Sequence, residues 1–200
     1  SEQAMFSQFS SYTDSTRVNI SSKYKYERKT HFRECIDQYQ GKQNVDIPKK
    51  VYTDLDEQFI FHSLLLGDSN TIRRERYANI TRKTIMTFLK ELGYPKQYEN
   101  LNLIHSVVTD IKLDDIDYLN EKILLDFDIL SELYDKRSVD RLRKNFINTQ
   151  YVLFQLLRRH GHKCDKEDFT NLKTVDRKFF HENIIKNLFE ELKWNYTSIF

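Results

Sequence analysis

The stretch YERKTHFRECIDQYQGK, residues 26–42, sets the reading of the whole chain. Helical spacing gathers Phe32, Ile36 and Tyr39 on one side, with Cys35 beside them. Tyr24, Arg28, His31 and Arg33 then make a polar, basic surface nearby. The pattern predicts a structural helix that also meets an anion or a partner.

Composition extends that reading. The chain has 200 residues, of which 39% are apolar, enough for a sizeable core. Fourteen Phe and twelve Tyr suit helix crossings, where a ring fills space and a tyrosine hydroxyl still reaches a polar partner. Only four Gly and two Pro punctuate the sequence, which argues against a turn-rich barrel or sandwich. No strict heptad persists, so an extended coiled coil is excluded. The prediction is an all-α, multi-helix globule.

Further helices follow from caps and periodicity. Pro48 opens a helix with Val51, Leu55, Phe59 and Leu65 inward, stopped at Gly67-Asp68. Thr81 caps RKTIMTFLKELG, and Gly93 stops it. The next helix spans Tyr98 to Val108, with Leu101, Ile104, Val107 and Val108 apolar. Asp114 or Asp115 caps a long helix to Tyr134 that buries Ile116, Leu119, Ile123, Phe127 and Leu130, with Asp126, Asp128 and Glu132 elsewhere around the cylinder. Another runs from Val139 or Leu142 to Arg159 and buries Phe146, Val152, Leu153, Leu156 and Leu157, with Gly161 as its stop. The last runs from Thr174-Val175 to Leu192, with Phe179, Ile184, Leu188 and Phe189 inward and Trp194 packing back. Residues 1–22 read as a polar arm or linker and 23–200 as the helical domain, with a subdivision near 110 left open.

Net charge is +2, but its distribution is uneven. Asp110 to Asp135 holds nine acidic and two basic residues; Lys136 to Lys163 holds eight Lys/Arg and one acid, Asp140. Two readings stay open, a focused field for a partner or two helix faces that attract each other. Candidate phosphate contacts are Lys25, Arg28, Lys29, Arg33 and Lys42 around the first helix, with His31 as a neutral donor or acceptor beside them. Arg141, Arg143, Lys144, Arg158 and Arg159 form another set, with Arg137 beside them. Arg73, Arg74, Arg76, Arg82 and Lys83 are a further basic concentration. Arginine suits phosphate because its planar fork presents several donors.

Catalytic patterns fare less well. There is no P-loop, Rossmann glycine signature, serine hydrolase elbow or HExxH. His31 and Cys35 share a helical face, but apolar neighbours make packing the stronger reading. His160-x-His162-x-Cys164 lacks a fourth zinc ligand, and Cys164 is expected to be exposed. Asp114, Asp115, Asp117, Asp126 and Asp128 would hold Mg²⁺ only if the fold gathered them. No cofactor, metal or enzymatic role is expected. No eighteen-residue apolar run predicts a membrane span, and Cys35 and Cys164 are expected to be reduced thiols.

Two blocks carry a family resemblance. YERKTHFRECIDQYQGKQNVDIPKKVY, residues 26–52, resembles the opening signature of the poxvirus late transcription factor 3-like family of large eukaryotic DNA viruses. RKNFINTQYVLFQLLRRHGH (143–162) and FHENIIKNLFEELKWNYTSIF (180–200) resemble a second block, and the likeness covers roughly residues 23–200. It implies a non-catalytic factor for viral late-gene transcription, inside the infected cell in a cytoplasmic viral factory or the nucleus. Its expected partners are double-stranded DNA and viral RNA polymerase or other viral transcription factors. The alternative is a protein-only adaptor between them. Longer family members carry an N-terminal zinc-binding element that this sequence lacks. By fold analogy, two related helical halves would resemble the cyclin repeats of general transcription factors.

Overall fold

The structure, a computed structural model, describes residues 22–137, 146–169 and 175–198. All regular structure among them is helical, as the composition predicts. Eight α-helices follow in order: α1 (22–40), α2 (Lys49–Phe61), α3 (Arg73–Arg76), α4 (Arg82–Glu91), α5 (Leu101–Thr109), α6 (Asn120–Arg137), α7 (Thr149–Arg159) and α8 (Val175–Leu192). The described chain divides into two units. One takes residues 22–33, 119–137, 146–166 and 175–198; the other takes 34–118 and 167–169.

In the second unit, α2, α4 and α5 enclose one core. Val51, Leu55 and Phe59 recur every four residues on α2 and are buried. They meet Ile85 and Leu89 of α4 and Ile104 and Val108 of α5. Phe59 packs edge-on to Tyr77 at 6.1 Å. The C-terminal half of α1 adds Tyr39, stacked on Phe169 at 5.3 Å. Val107 was expected inward and instead is 49% exposed, because one helical step from buried Val108 turns it outward.

The first unit is built on aromatic rings. Phe32 of α1 stacks on Phe127 of α6 at 4.2 Å, and Phe146 meets Phe127 and Tyr134 edge-on at 5.7 and 4.9 Å. Ile123, Phe127 and Leu130 form the buried face of α6, as expected. Tyr151, Val152, Leu153, Leu156 and Leu157 make α7 the central helix. On α8 the buried residue is Ile185 and Ile184 is only half-buried, a shift of one position; Leu188 and Phe189 are buried as expected. The side chain of Phe179 lies outside the described residues.

After α8 the chain folds back. Trp194 and Tyr196 pack edge-on against Phe189, at 5.4 and 6.1 Å. Gln155, fully buried, donates to the Thr197 carbonyl at 2.7 Å and accepts from its N–H at 3.1 Å. A buried amide with both halves bonded to one peptide fixes that strand of chain firmly. Tyr151 and Tyr196 share a 2.5 Å hydroxyl contact. Burial pushes the Tyr151 hydroxyl up to about 12.

Helix boundaries differ from expectation where side chains claim backbone groups. Helix α2 ends at Phe61, before Gly67, because Ser63 takes φ 55°. Its N–H then bonds Ile60 and that of Leu64 bonds Phe59, closing the helix end. Helix α6 starts at Asn120, not at Asp114 or Asp115. The Ile116 N–H donates to Gln40 Oε1 at 2.8 Å, and Asp115 Oδ1 accepts from the Asp117 N–H at 2.9 Å, a cap on the turn that precedes the helix. A 3-10 turn at Asp117–Leu119 leads in. A second 3-10 turn, Pro95–Asn100, replaces the expected start of α5. Helix α7 begins at Thr149, capped by Asn148 Oδ1, which accepts from Gln150 and Tyr151 at 3.0 and 3.2 Å.

His105 on α5 offers a pH readout of the second unit. Its Nε2 donates to the Ile80 carbonyl at 2.9 Å. Burial holds its pKa below the ordinary 6.5, with Arg82 pushing the same way against the carbonyl bond. The folded state therefore prefers the neutral ring, and stability is lost as pH falls below about 6.5. Thermal melting at about pH 5.5 should fall below that at about pH 7.5. His105→Gln, which keeps a donor but not a titrating ring, should shrink the difference.

Candidate nucleic-acid interface

Helix α1 separates its basic residues by angle. Lys25, His31 and Arg33 are exposed. Arg28 was expected on the same polar surface but is 8% exposed. It lies four residues before Phe32, so one helical turn puts both on the inward face. Its guanidinium lies over the Phe146 ring at 4.8 Å and the Tyr134 ring at 5.6 Å. Its Nη1 donates to Asp135 Oδ1 at 2.8 Å. Burial is tolerable only because that carboxylate comes with it.

The next cation is also paired. Lys29 reaches Asp128 at 2.7 Å across the same helix pair. Lys42 falls in the other unit, where it bonds Asp117 at 2.8 Å and Asp115 at 3.1 Å. The Asp117 bond, followed by that of Asp115, raises the Lys42 pKa. Asp115 is pulled down by the Asp117 N–H first and by Lys42 second. These three side chains are exposed, so the pairing is labile in salt.

On α7 the two arginines diverge. Arg159 bonds Asp126 at 2.9 Å and covers the Trp194 ring at 4.3 Å. His160 Nε2 reaches the same carboxylate oxygen at 2.6 Å. Asp126 was expected on the outer side of α6; it is 8% exposed, at the edge of the face formed by Ile123, Phe127 and Leu130. A helical wheel puts it there, beside buried Phe127, and this is the signal the sequence reading passed over. Arg158 is exposed and donates to the Cys164 carbonyl at 3.3 Å. Arg141, Arg143 and Lys144 lie outside the described residues.

Cys164 was expected at the surface and is 5% exposed, because Gly161 at φ 78° turns the chain back after α7. Cys35 is buried with Phe32 and Ile36, whereas His31 is at the surface. Among the described residues, no three His, Cys, Asp or Glu side chains are grouped to hold a metal ion. Among them, too, no helix is long and apolar enough to cross a membrane.

An all-helical protein of two units, with basic side chains divided between internal pairs and open surface, is the class the structure defines. The family described as Poxvirus Late Transcription Factor VLTF3 like matches residues 19–196, and this chain belongs to it. Relatives printed under the name "Putative transcription factor" include 282R of Invertebrate iridescent virus 6, 49% identical over 95% of this chain and 51% of its own length. Similar too are 079L of Invertebrate iridescent virus 3, 44% identical over 98% of this chain and 53% of its own length, and 001R of Frog virus 3 (isolate Goorha), 35% identical over 84% and 63%. The chain thus spans about half the length of the first two relatives. No solved structure matches it.

The Arg28 geometry gives a direct prediction. Arg28→Met leaves Asp135 without its partner and should cost about 3 kcal/mol of stability in urea unfolding. Asp135→Asn on top of it should add little, since the pair is already broken. A fully stable Arg28→Met protein would show that the pair does not brace the fold.

Proposed function

We propose that the chain is a non-catalytic domain of a viral late-gene transcription factor that contacts promoter DNA or the assembly on it. It works inside the infected cell, in a cytoplasmic viral factory or the nucleus. Family membership supports the transcription role. One observation carries the DNA contact: on α1, Arg28 is held inward while Lys25, His31 and Arg33 stay in solvent. A helix braced by its own buried arginine presents its outer cations in fixed positions, which favours phosphate contact over loose charge. Arg158, Arg141, Arg143 and Lys144 extend the proposed contact, and Arg159 and Lys42 serve it indirectly by holding their segments in place.

A second reading, an adaptor for viral RNA polymerase or other viral factors, has its own observation. Leu125 and Ile129 sit one turn apart on α6, 63% and 45% exposed, on the side opposite Ile123 and Phe127. A helix apolar on two faces suits a protein partner on the outer one.

Fluorescence anisotropy with single- and double-stranded probes, titrated with salt, separates the readings. DNA contact predicts tighter binding of duplex and a log–log salt slope that falls by about one for each of Lys25→Glu and Arg33→Glu. Absence of binding at low salt overturns it. Leu125→Glu with Ile129→Glu should leave DNA affinity intact and, on the adaptor reading, abolish binding to purified viral RNA polymerase.

A further inference from the structure

Within the second unit, the arginines of α3 are held differently from those of α1 and α7. Arg73 donates to the Val108 carbonyl at 2.9 Å and stacks on Tyr77 at 4.6 Å. Arg76 donates to the Leu66 carbonyl at 3.3 Å, and the Leu66 N–H returns a bond to the Arg76 carbonyl at 2.9 Å. Arg74, between them in sequence, is exposed. Among the described residues, none of the three is in an ion pair. Asp56 of α2 accepts from the Tyr77 hydroxyl at 2.9 Å. Glu75, Asp110 and Asp68 are exposed acids of these segments; none is in an ion pair with the arginines among the described residues, and Asp68 Oδ1 accepts from the Asn70 N–H at 2.8 Å.

The difference matters electrically. A carboxylate partner cancels a guanidinium charge; a carbonyl oxygen positions the group and leaves the charge in place. The C-terminal dipole of α5 offsets Arg73 only in part. Arg73 and Arg76 are thus fixed to two separate parts of the unit, the end of α5 and the loop after α2, with donors to spare. The turn after Tyr77 leads straight into α4, where Lys83 is exposed as well.

We infer that α3 is a phosphate-backbone contact of this domain, with Arg73 and Arg76 as pre-positioned forks and Arg74 as the outer contact for duplex DNA. The inference rests on the DNA-contacting reading above and adds a surface to it. A fork already ordered by a carbonyl and a ring loses little freedom when it binds phosphate, which is where arginine outperforms lysine. An acidic protein is the competing ligand, and the test includes it.

The experiment measures duplex affinity against salt for the whole chain, for Arg74→Glu and for Lys25→Glu/Arg33→Glu. Arg74 is exposed and is in no ion pair among the described residues, so Arg74→Glu should melt like the parent. It should bind roughly tenfold more weakly, with a salt slope smaller by about one. Arg74→Lys should restore most of the affinity. Unchanged affinity in Arg74→Glu, with loss in the α1 variant, overturns the α3 contact and leaves the DNA reading standing. A parent chain that binds no duplex overturns both. Displacement of duplex by polyglutamate at equal charge concentration overturns the phosphate assignment.

Discussion

A guanidinium taken out of water must bring a carboxylate with it, and that constraint organises the first unit. Arg28 enters between α1 and α6 only where Asp135 meets it and where the rings of Phe146 and Tyr134 cover its faces. Arg159 repeats the arrangement with Asp126 and Trp194. In each case a cation is sandwiched between a charge that neutralises it and an aromatic face that tolerates it. Specificity follows more than raw stability. An aromatic helix pair could slide by a turn, but a slide would strand Arg28 and Asp135 together, so the contact selects one register of α1 against α6.

The same constraint resolves the uneven charge of the sequence. The acidic stretch from Asp110 to Asp135 and the basic stretch after it suggested either a shared field or mutual attraction. Asp126 does take Arg159 and His160 from the following segment. Asp128 and Asp135, however, take Lys29 and Arg28 from α1, and Asp115 and Asp117 take Lys42. Much of the acidity is therefore local counter-charge for the opening signature. A linear sequence shows that charges balance; which cation meets which anion depends on helix pairing, and periodicity alone does not encode it.

How much of the fold was legible follows from what marks a helix end. Gly93 and Gly161 closed their helices where glycine announced it, each with its N–H bonded back into the last turn. Ser63 and Lys193 do the same work at φ 55° and 60° without glycine; the periodicity placed the end of α8 at Leu192 correctly, whereas nothing in the residue types marked the end at Ser63. The strain of about 1 kcal/mol is met by burial of Phe59 and Phe189, whose carbonyls receive the closing bonds. Gly41 is different again. Its φ is 65°, so the first signature needs glycine for backbone angle, and a Cβ there would stand 2.4 Å from the Leu113 side-chain end and push it aside. Buried faces read well because spacing of three and four residues is enough to define them, and Val51, Leu55 and Phe59 show it. The start of α7 reads poorly because Asn148, out of pattern, takes the first backbone N–H groups, and that of α6 because a 3-10 turn at Asp117–Leu119 precedes it.

Candidate site residues were legible to a smaller degree, for a related reason. Counting cations in a stretch treats every arginine as a surface donor. Yet a partner other than water fixes several of them, and the kind of partner decides their availability. Carboxylates turn Arg28 and Arg159 into struts. Carbonyls turn Arg73 and Arg76 into charged fixtures, because a dipole can orient a guanidinium without neutralising it. A run such as RRER therefore carries more open charge than the longer opening signature, although it has fewer residues and spans only four positions. Net charge near zero does not weigh against an anion-binding role in such a chain. What governs it is how the fold distributes its acids, and here they are concentrated against α1 and α7.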